Sequence, residues 1–239
     1  MPLSPEETRR YARHLVLKGM GGAGQQRLKS ARIAVIGAGG LGSPAIAYLA
    51  AAGVGRLGIV DADTVSLSNL QRQIVHATAA IGRNKADNAG AFAAALNPHV
   101  ALDLHPRAIT RDNARDLLGP YQMVLDGTDN LSTRRLVAAA AAALRLPLVS
   151  GAVSMFSGQV TVFAPHLGGP GHDAIFPPGA SDAALPSCEA NGILGPVTGV
   201  IGSLMAMEAV KLATGIGTPL IGRLLVYDGR ESRFSELDY

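Results

Sequence analysis

The chain has a single cysteine, Cys188, in 239 residues, which excludes an internal disulfide and any cysteine-based zinc site within one chain. Charge is also sparse. Only 16% of residues are Asp, Glu, Lys or Arg, and the net charge of +3 is not gathered into a Lys/Arg block, so neither nucleic acid nor an anionic membrane is indicated as a partner. No stretch reaches the ~18 uninterrupted apolar residues of a membrane span. Residues 1–20 carry charge throughout and lack the apolar core of a signal peptide, and the expected location is the cytoplasm.

What is abundant is apolar: 48% of residues are hydrophobic, the balance of a sheet covered by helices on both faces. A chain of this length can bury a large core as one domain. Residues 33–36 (IAVI) form an apolar run too short for a helix and closed at once by glycine, which predicts a buried parallel strand. Gly37, Ala38, Gly39, Gly40, Leu41 and Gly42 follow as a G-x-G-x-x-G match, then an Ala-rich helix over residues 43–52. In such a loop the first glycine allows the tight turn, the second lets backbone approach a phosphate, and the third lets helix pack on strand. A strand over residues 57–60 ends in Asp61, where a ribose-binding carboxylate belongs. Strand, loop, helix, strand and acid in this order predict a nucleotide site.

Around that unit, Ser4 and Glu7 have capping-box spacing and predict a helix to about Lys18. Residues 19–24 read as a glycine-rich hinge, and residues 25–30 as a short helix completing a leader. Beyond Asp61, the polar run from Asp63 to Gln73 should lie on the C-terminal edge of the sheet, where ligands bind. Further strands are expected at residues 100–105, 123–125 and 147–153, with helices at 85–97, 112–118 and 130–144. An antiparallel strand is expected at 159–163, a long helix at 195–214, and a last buried strand at 224–227. Residues 165–186, rich in Gly, Pro and Ala, predict a mobile loop. The expected fold is an α/β, Rossmann-like, doubly wound and mostly parallel sheet with antiparallel C-terminal strands and an N-terminal helical leader. One domain spans residues 1–239: leader 1–30, nucleotide-binding half 31–153 and carrier-binding half 154–239.

A nicotinamide dehydrogenase is one reading of the glycine loop, but Arg72 and Lys85 do not suit it. Two cations suit a triphosphate, with Arg clamping oxygens and Lys supplying a point charge. Asp126 and Asp129, at a strand end, suit Mg²⁺, which takes carboxylate oxygens together with waters and phosphates.

These residues also carry a resemblance. Arg10-Tyr11-x-Arg13-His14, the glycine loop, Asp61-x-Asp63, Ser68-Asn69-Leu70-Gln71-Arg72-Gln73, Gly82-x-x-Lys85, Asn97-Pro98, Asp126-x-x-Asp129-Asn130 and Gly199-x-x-Gly202-x-x-x-Ala206-x-Glu208-x-x-Lys211 together resemble the ThiF/MoeB/HesA family, bacterial relatives of ubiquitin-activating enzymes. The resemblance covers nearly all of the chain. It implies adenylation of the C-terminal Gly-Gly carboxylate of a ubiquitin-like sulfur-carrier protein with ATP and Mg²⁺, in a pathway such as molybdenum cofactor or thiamin biosynthesis. By similarity, Gly37, Gly39, Gly40, Leu41 and Gly42 hold phosphates, Asp61 takes the ribose, and Asp63, Ser68, Asn69, Gln71 and Arg72 contact the nucleotide. Lys85 neutralises phosphate, and Asp129 with Asn130 organises Mg²⁺. Arg13 is similar to an arginine delivered from a partner subunit, which implies a homodimer.

Two departures stand out. Many members hold a structural zinc with two C-x-x-C pairs, but the first falls here at Gly171-His172-Asp173-Ala174, and Tyr239 closes the sequence before a second, so zinc is not expected. Cys188 matches the position of a cysteine that can bond covalently to carrier or sulfur donor, with a sulfurtransferase or cysteine desulfurase as a further partner. A lone intracellular cysteine is otherwise an inert small hydrophobe, and both readings stay open. A nicotinamide oxidoreductase and a non-catalytic binder of ubiquitin-like tails are the rival functions.

Overall fold

The computed structural model describes residues 2–177 and 192–239. Five strands, β1 (Arg32–Ile36), β2 (Arg56–Val60), β3 (Ala101–His105), β4 (Met123–Asp126) and β5 (Leu148–Ser154), run parallel. Three more, β6 (Ser157–Phe163), β7 (Arg223–Asp228) and β8 (Arg233–Asp238), continue the same sheet antiparallel. Their spatial order is β3-β2-β1-β4-β5-β6-β7-β8. The expected α/β class, parallel half and antiparallel extension are all present.

Alternate residues of each central strand enter different cores, so the apolar runs are continuous. Ile33, Val35, Leu57, Ile59 and Leu125 face one core with α4 (Gly42–Ala52), α5 (Lys85–Leu96) and α8 (Gly195–Thr214). Ala34, Ile36, Val60 and Val124 face the other, with α6 (Ala114–Leu118) and α7 (Leu131–Ala143). Helix α8 is long and apolar enough, by length and composition alone, to cross a membrane, yet half of its apolar window is buried inside the protein. A Cβ on Gly151 would lie 2.4 Å from Met205 Sδ, and one on Gly202 2.4 Å from the Leu41 carbonyl. These glycines set α8 directly on β5 and on the start of α4.

Near its end, α8 carries the buried Glu208, ion-paired to Lys211 and accepting the Leu220 amide at 2.8 Å. Lys211 in turn donates to the Thr218 carbonyl at 3.0 Å. The Glu208-x-x-Lys211 spacing is thereby explained as a clamp on the segment leading to β7. Glu208→Ala should lower unfolding free energy by about 3 kcal/mol, because the buried Leu220 amide loses its acceptor and the partly buried Lys211 its counter-ion. Urea denaturation measures it; a loss under about 1 kcal/mol would place the anchoring elsewhere.

Three expectations are corrected, and a fourth falls partly outside the described residues. The leader is not one helix to Lys18: α1 (Pro5–Arg10), with its Ser4/Glu7 capping box, breaks at Tyr11 before α2 (Ala12–Leu15). Tyr11 is buried, its hydroxyl accepts from Asn97 at 2.8 Å, and its ring fills the space a Cβ on Gly53 would need; this tertiary anchoring overrides the local helix. The glycine hinge is largely helical, since α3 (Gly21–Ser30) begins within it and Gly24 packs on Met20. Strand β7 is half-buried, and a further strand, β8, follows it with all six residues exposed. With no buried face, β8 has no apolar alternation to signal it. Finally, residues 165–177 hold short 3₁₀ turns at Pro165–Leu167 and His172–Ala174, and the rest of the expected mobile loop lies outside the described residues.

Candidate nucleotide site

Strands β1 and β4 are neighbours, but β1 leads into α4 on one face and β4 into α7 on the other. Such a switch point opens a crevice at the carboxyl ends of the strands. Gly37, at φ +90°, makes the turn out of β1, and a Cβ there would lie 3.1 Å from the Gly127 carbonyl oxygen after β4. A Cβ on Gly42 would come within 1.8 Å of the Gly37 oxygen, so only glycine lets α4 start there.

The crevice contains a cavity of about 480 Å³, within the range of small-molecule and cofactor pockets. Gly37, Gly39, Gly40, Leu41, Asp61, Asp63, Arg72, Lys85, Asp129 and Asn130 all line it. Gly42, Ser68, Asn69 and Gln71 do not. Ser68 lies in a 3₁₀ turn (Leu67–Asn69) and its carbonyl accepts from Arg72 at 3.1 Å, while Asn69 accepts the Ser66 amide at 3.4 Å. The backbone of Gln71 abuts Gly195, where α8 begins. Arg13 sits on α2 and does not line the cavity, and Cys188 lies outside the described residues.

The acidic residues divide by geometry. Asp61 accepts the Ala38 amide at 2.7 Å and the Asp63 amide at 2.8 Å; burial raises its pKa above the usual carboxylate value, an effect those amides oppose. Asp63 is mostly exposed and pairs at 2.9 Å with Lys85, whose side chain is only 8% exposed. Asp126 is fully buried and turned inward: one oxygen accepts from the Thr128 amide and hydroxyl at 3.0 and 2.6 Å, and the other faces Arg134 at 3.7 Å, an ion pair without a hydrogen bond. The expectation that Asp126 joins Asp129 at a metal is therefore corrected. Asn130 caps α7, accepting the Thr133 amide at 2.8 Å. Asp129 is exposed to the cavity and has no hydrogen-bond or ion-pair partner among the described residues.

Three further features were not among the sequence-derived site residues. Arg107 and Arg134 bring the cations lining the cavity to four, against three carboxylates, among the described residues. Thr198, on the first turn of α8, closes over the glycine loop, 3.1 Å from where a Gly40 Cβ would lie. His76 is buried with Nε2 2.9 Å from the Ala38 carbonyl. Arg134 is legible in hindsight, eight residues beyond Asp126 on the helix that Asn130 caps, whereas no local pattern marks His76.

The donor set fits a nucleoside triphosphate. The amides of Gly39, Gly40, Leu41 and Gly42 have no protein acceptor among the described residues, and unpaired amides at a helix start favour an anion. A single free carboxylate, with no cluster of three metal-ligating side chains among the described residues, suits Mg²⁺, which completes its shell with phosphates and waters. At Gly171-His172-Asp173-Ala174, His172 is buried, stacked at 4.7 Å on Phe176 and 5.4 Å from Phe163.

Comparison with known proteins agrees with this architecture. The chain is 48% identical over 235 residues to a probable adenylyltransferase/sulfurtransferase MoeZ of Mycobacterium tuberculosis, covering 97% of this chain and 60% of that protein. It is 46% identical over 241 residues to a sulfur carrier protein adenylyltransferase of Thermus thermophilus, covering 99% of this chain and 89% of that protein. Among solved structures, PaaA superposes with a TM-score of 0.83 at 23% identity, covering 99% of this chain and 74% of that one. E. coli MccB with MccA-N7isoASN gives 0.84 at 16% identity, covering 99% and 72%, and both likenesses speak for the fold alone. The match to the family model, described as "ThiF family", runs from residue 11 to residue 239; with the glycine loop at the switch point and the cation-lined crevice above it, this chain belongs to the ThiF family.

Proposed function

We propose that the chain adenylates the C-terminal Gly-Gly carboxylate of a ubiquitin-like sulfur-carrier protein, using ATP and releasing pyrophosphate. The observation that carries this reading is the gathering in one cavity, among the described residues, of the acceptor-free amides of Gly39, Gly40 and Leu41, four cationic side chains and one unpartnered carboxylate, Asp129. A dinucleotide needs no such cation excess. The printed name of the Thermus thermophilus relative supports the same reading.

In this assignment the amides of residues 39–42 and the side chains of Arg72 and Lys85 bind the triphosphate. A carrier carboxylate oxygen attacks the α-phosphorus, the new acyl–phosphate bond forms, and the α–β anhydride bond breaks with pyrophosphate leaving as the anion. No base is required, because a C-terminal carboxylate is already ionised at neutral pH. Catalysis is then orientation and charge stabilisation. Lys85 is held for this by Asp63, whose pairing fixes the ammonium at the cavity wall. Asp129 would hold Mg²⁺, which supplies charge neutralisation across the phosphates. Arg13 would act on the site of a partner subunit in a homodimer, and Cys188 on the step after adenylation.

ATP–pyrophosphate exchange tests the proposal. Purified protein with Mg²⁺, ATP and a Gly-Gly-ended carrier should incorporate labelled pyrophosphate into ATP, and the carrier without its terminal glycine should not support it. Carrier binding with no exchange for any ubiquitin-like carrier of the source organism would sink the enzymatic reading in favour of a binding protein.

A further inference from the structure

We infer that His76 is a positioning residue for phosphate binding: by taking the Ala38 carbonyl as its acceptor, it keeps the glycine-loop amides free for the nucleotide. The inference rests on the nucleotide reading above and deepens it.

The geometry fixes the histidine's chemistry. Ala38 offers Nε2 only a carbonyl oxygen at 2.9 Å, so Nε2 must carry a hydrogen and donate it. On the other side of the ring, Nδ1 is 2.8 Å from the Asn88 amide nitrogen, which also donates to the Val75 carbonyl at 3.2 Å. An amide NH₂ has two hydrogens, one for each acceptor, so Nδ1 must be the unprotonated acceptor. His76 is thus the neutral Nε2–H tautomer, in keeping with the lowering of its pKa by burial. The facing charged groups are Asp61, across the Ala38 peptide, and Lys85 on α5.

The consequence lies in the first turn of α4. In a regular helix the amide of residue 42 bonds the carbonyl of residue 38, and the next pair in the series does so here, Ser43 N–H to Gly39 carbonyl at 2.9 Å. The Gly42 amide makes no such bond, because the Ala38 carbonyl is turned to His76, with Ser43 Oγ at 3.5 Å as a weaker second donor. Asp61 holds the amide of the same residue at 2.7 Å. Ala38 is therefore held at both its N–H and its C=O, and the four amides that follow it are left without a protein acceptor among the described residues. Asn88 and Lys85 share α5, so one helix supplies both a phosphate cation and the support of His76.

Two substitutions separate this role from mere packing. His76→Gln places an amide nitrogen near the position of Nε2 and keeps a donor for Ala38; His76→Asn places its nitrogen near Nδ1 and loses that donor. Titration calorimetry with Mg-ATP should show His76→Gln within about threefold of wild type and His76→Asn weaker by at least about tenfold, the effect of one lost buried hydrogen bond. The KM for carrier should not move. Two readouts on the free protein need no ligand. Long-range ¹H–¹⁵N spectra should find the His76 proton on Nε2, and the Gly42 amide should exchange more slowly in His76→Asn, as the Ala38 carbonyl swings back to accept it. If wild type binds no ATP, the proposed function falls while the free-protein readouts still decide the present inference. A proton on Nδ1, unchanged Gly42 exchange in His76→Asn, or equal ATP affinity in the two variants overturns it.

Discussion

Asp129→Ala should lower the rate of pyrophosphate exchange by at least about a hundredfold, the scale on which removing one preorganised electrostatic group from a transition state acts. The expectation follows from how the turn after β4 spends its polar groups. Asp126 is buried and committed to Thr128 and Arg134, and the side-chain oxygen of Asn130 is occupied in capping α7. Among the described residues, only Asp129 presents a carboxylate to the cavity without any competing partner. Removing it leaves the fold's hydrogen bonds untouched, so thermal stability should change little. Removing Asp126 instead should unfold the turn, because Arg134 would be left buried without its counter-ion. The measurement is exchange as a function of Mg²⁺ concentration, with nucleotide binding followed separately in EDTA. Binding without Mg²⁺ should match wild type, and exchange should stay low even at high Mg²⁺. Exchange within a few-fold of wild type would assign the metal to other groups.

How much of this was legible in the residues depends on where each feature's cause lies. The parallel strands were readable because burial on both faces makes continuous apolar runs such as residues 33–36, and the glycine loop because steric demands as tight as 1.8 Å at Gly42 admit one residue type. Strand β8 was not, since an exposed edge imposes no pattern. Nor was the break at Tyr11, whose cause is a hydrogen bond to Asn97, 86 positions away. The site divides in the same way. Asp61, Lys85 and Asp129 belong to short spaced motifs and line one cavity. The inward turn of Asp126 could not be told from the outward turn of Asp129, because Asp126 ends the same strand that Asp129 follows and only the position of Arg134 on α7 separates them. His76 acts through a carbonyl 38 residues earlier in the chain, a relation that leaves no local trace.

Mixing two inactive variants, Arg13→Ala and Lys85→Ala, should restore roughly a quarter of wild-type exchange. Lys85 is the first residue of α5, and Arg10 donates to the Leu96 carbonyl at its last, at 3.0 Å. Twelve helical residues span about 18 Å, so the leader that carries Arg13 is pinned at the far end of that helix from its own cavity. Tyr11, locked between Gly53 and Asn97, and Lys29, paired to Glu7 at 2.7 Å, hold it there. Arg13 can then serve a cavity only by projecting from a second copy of the chain. The leader also exposes Val16 and Leu17, at 78% and 54%, an apolar pair beside Arg13 suited to such an interface. In a symmetric dimer, random mixing makes half of the dimers mixed. Each mixed dimer has one composite site with both residues intact, Lys85 from the Arg13→Ala subunit and Arg13 from the Lys85→Ala subunit. Its other site has neither. Native mass spectrometry reports whether mixed dimers have formed, and exchange is measured on the same sample. Activity recovered only in mixtures, and in proportion to the mixed species, would establish a shared site; a mixture in which mixed dimers form yet exchange stays as low as in either parent would return Arg13 to a role within its own subunit.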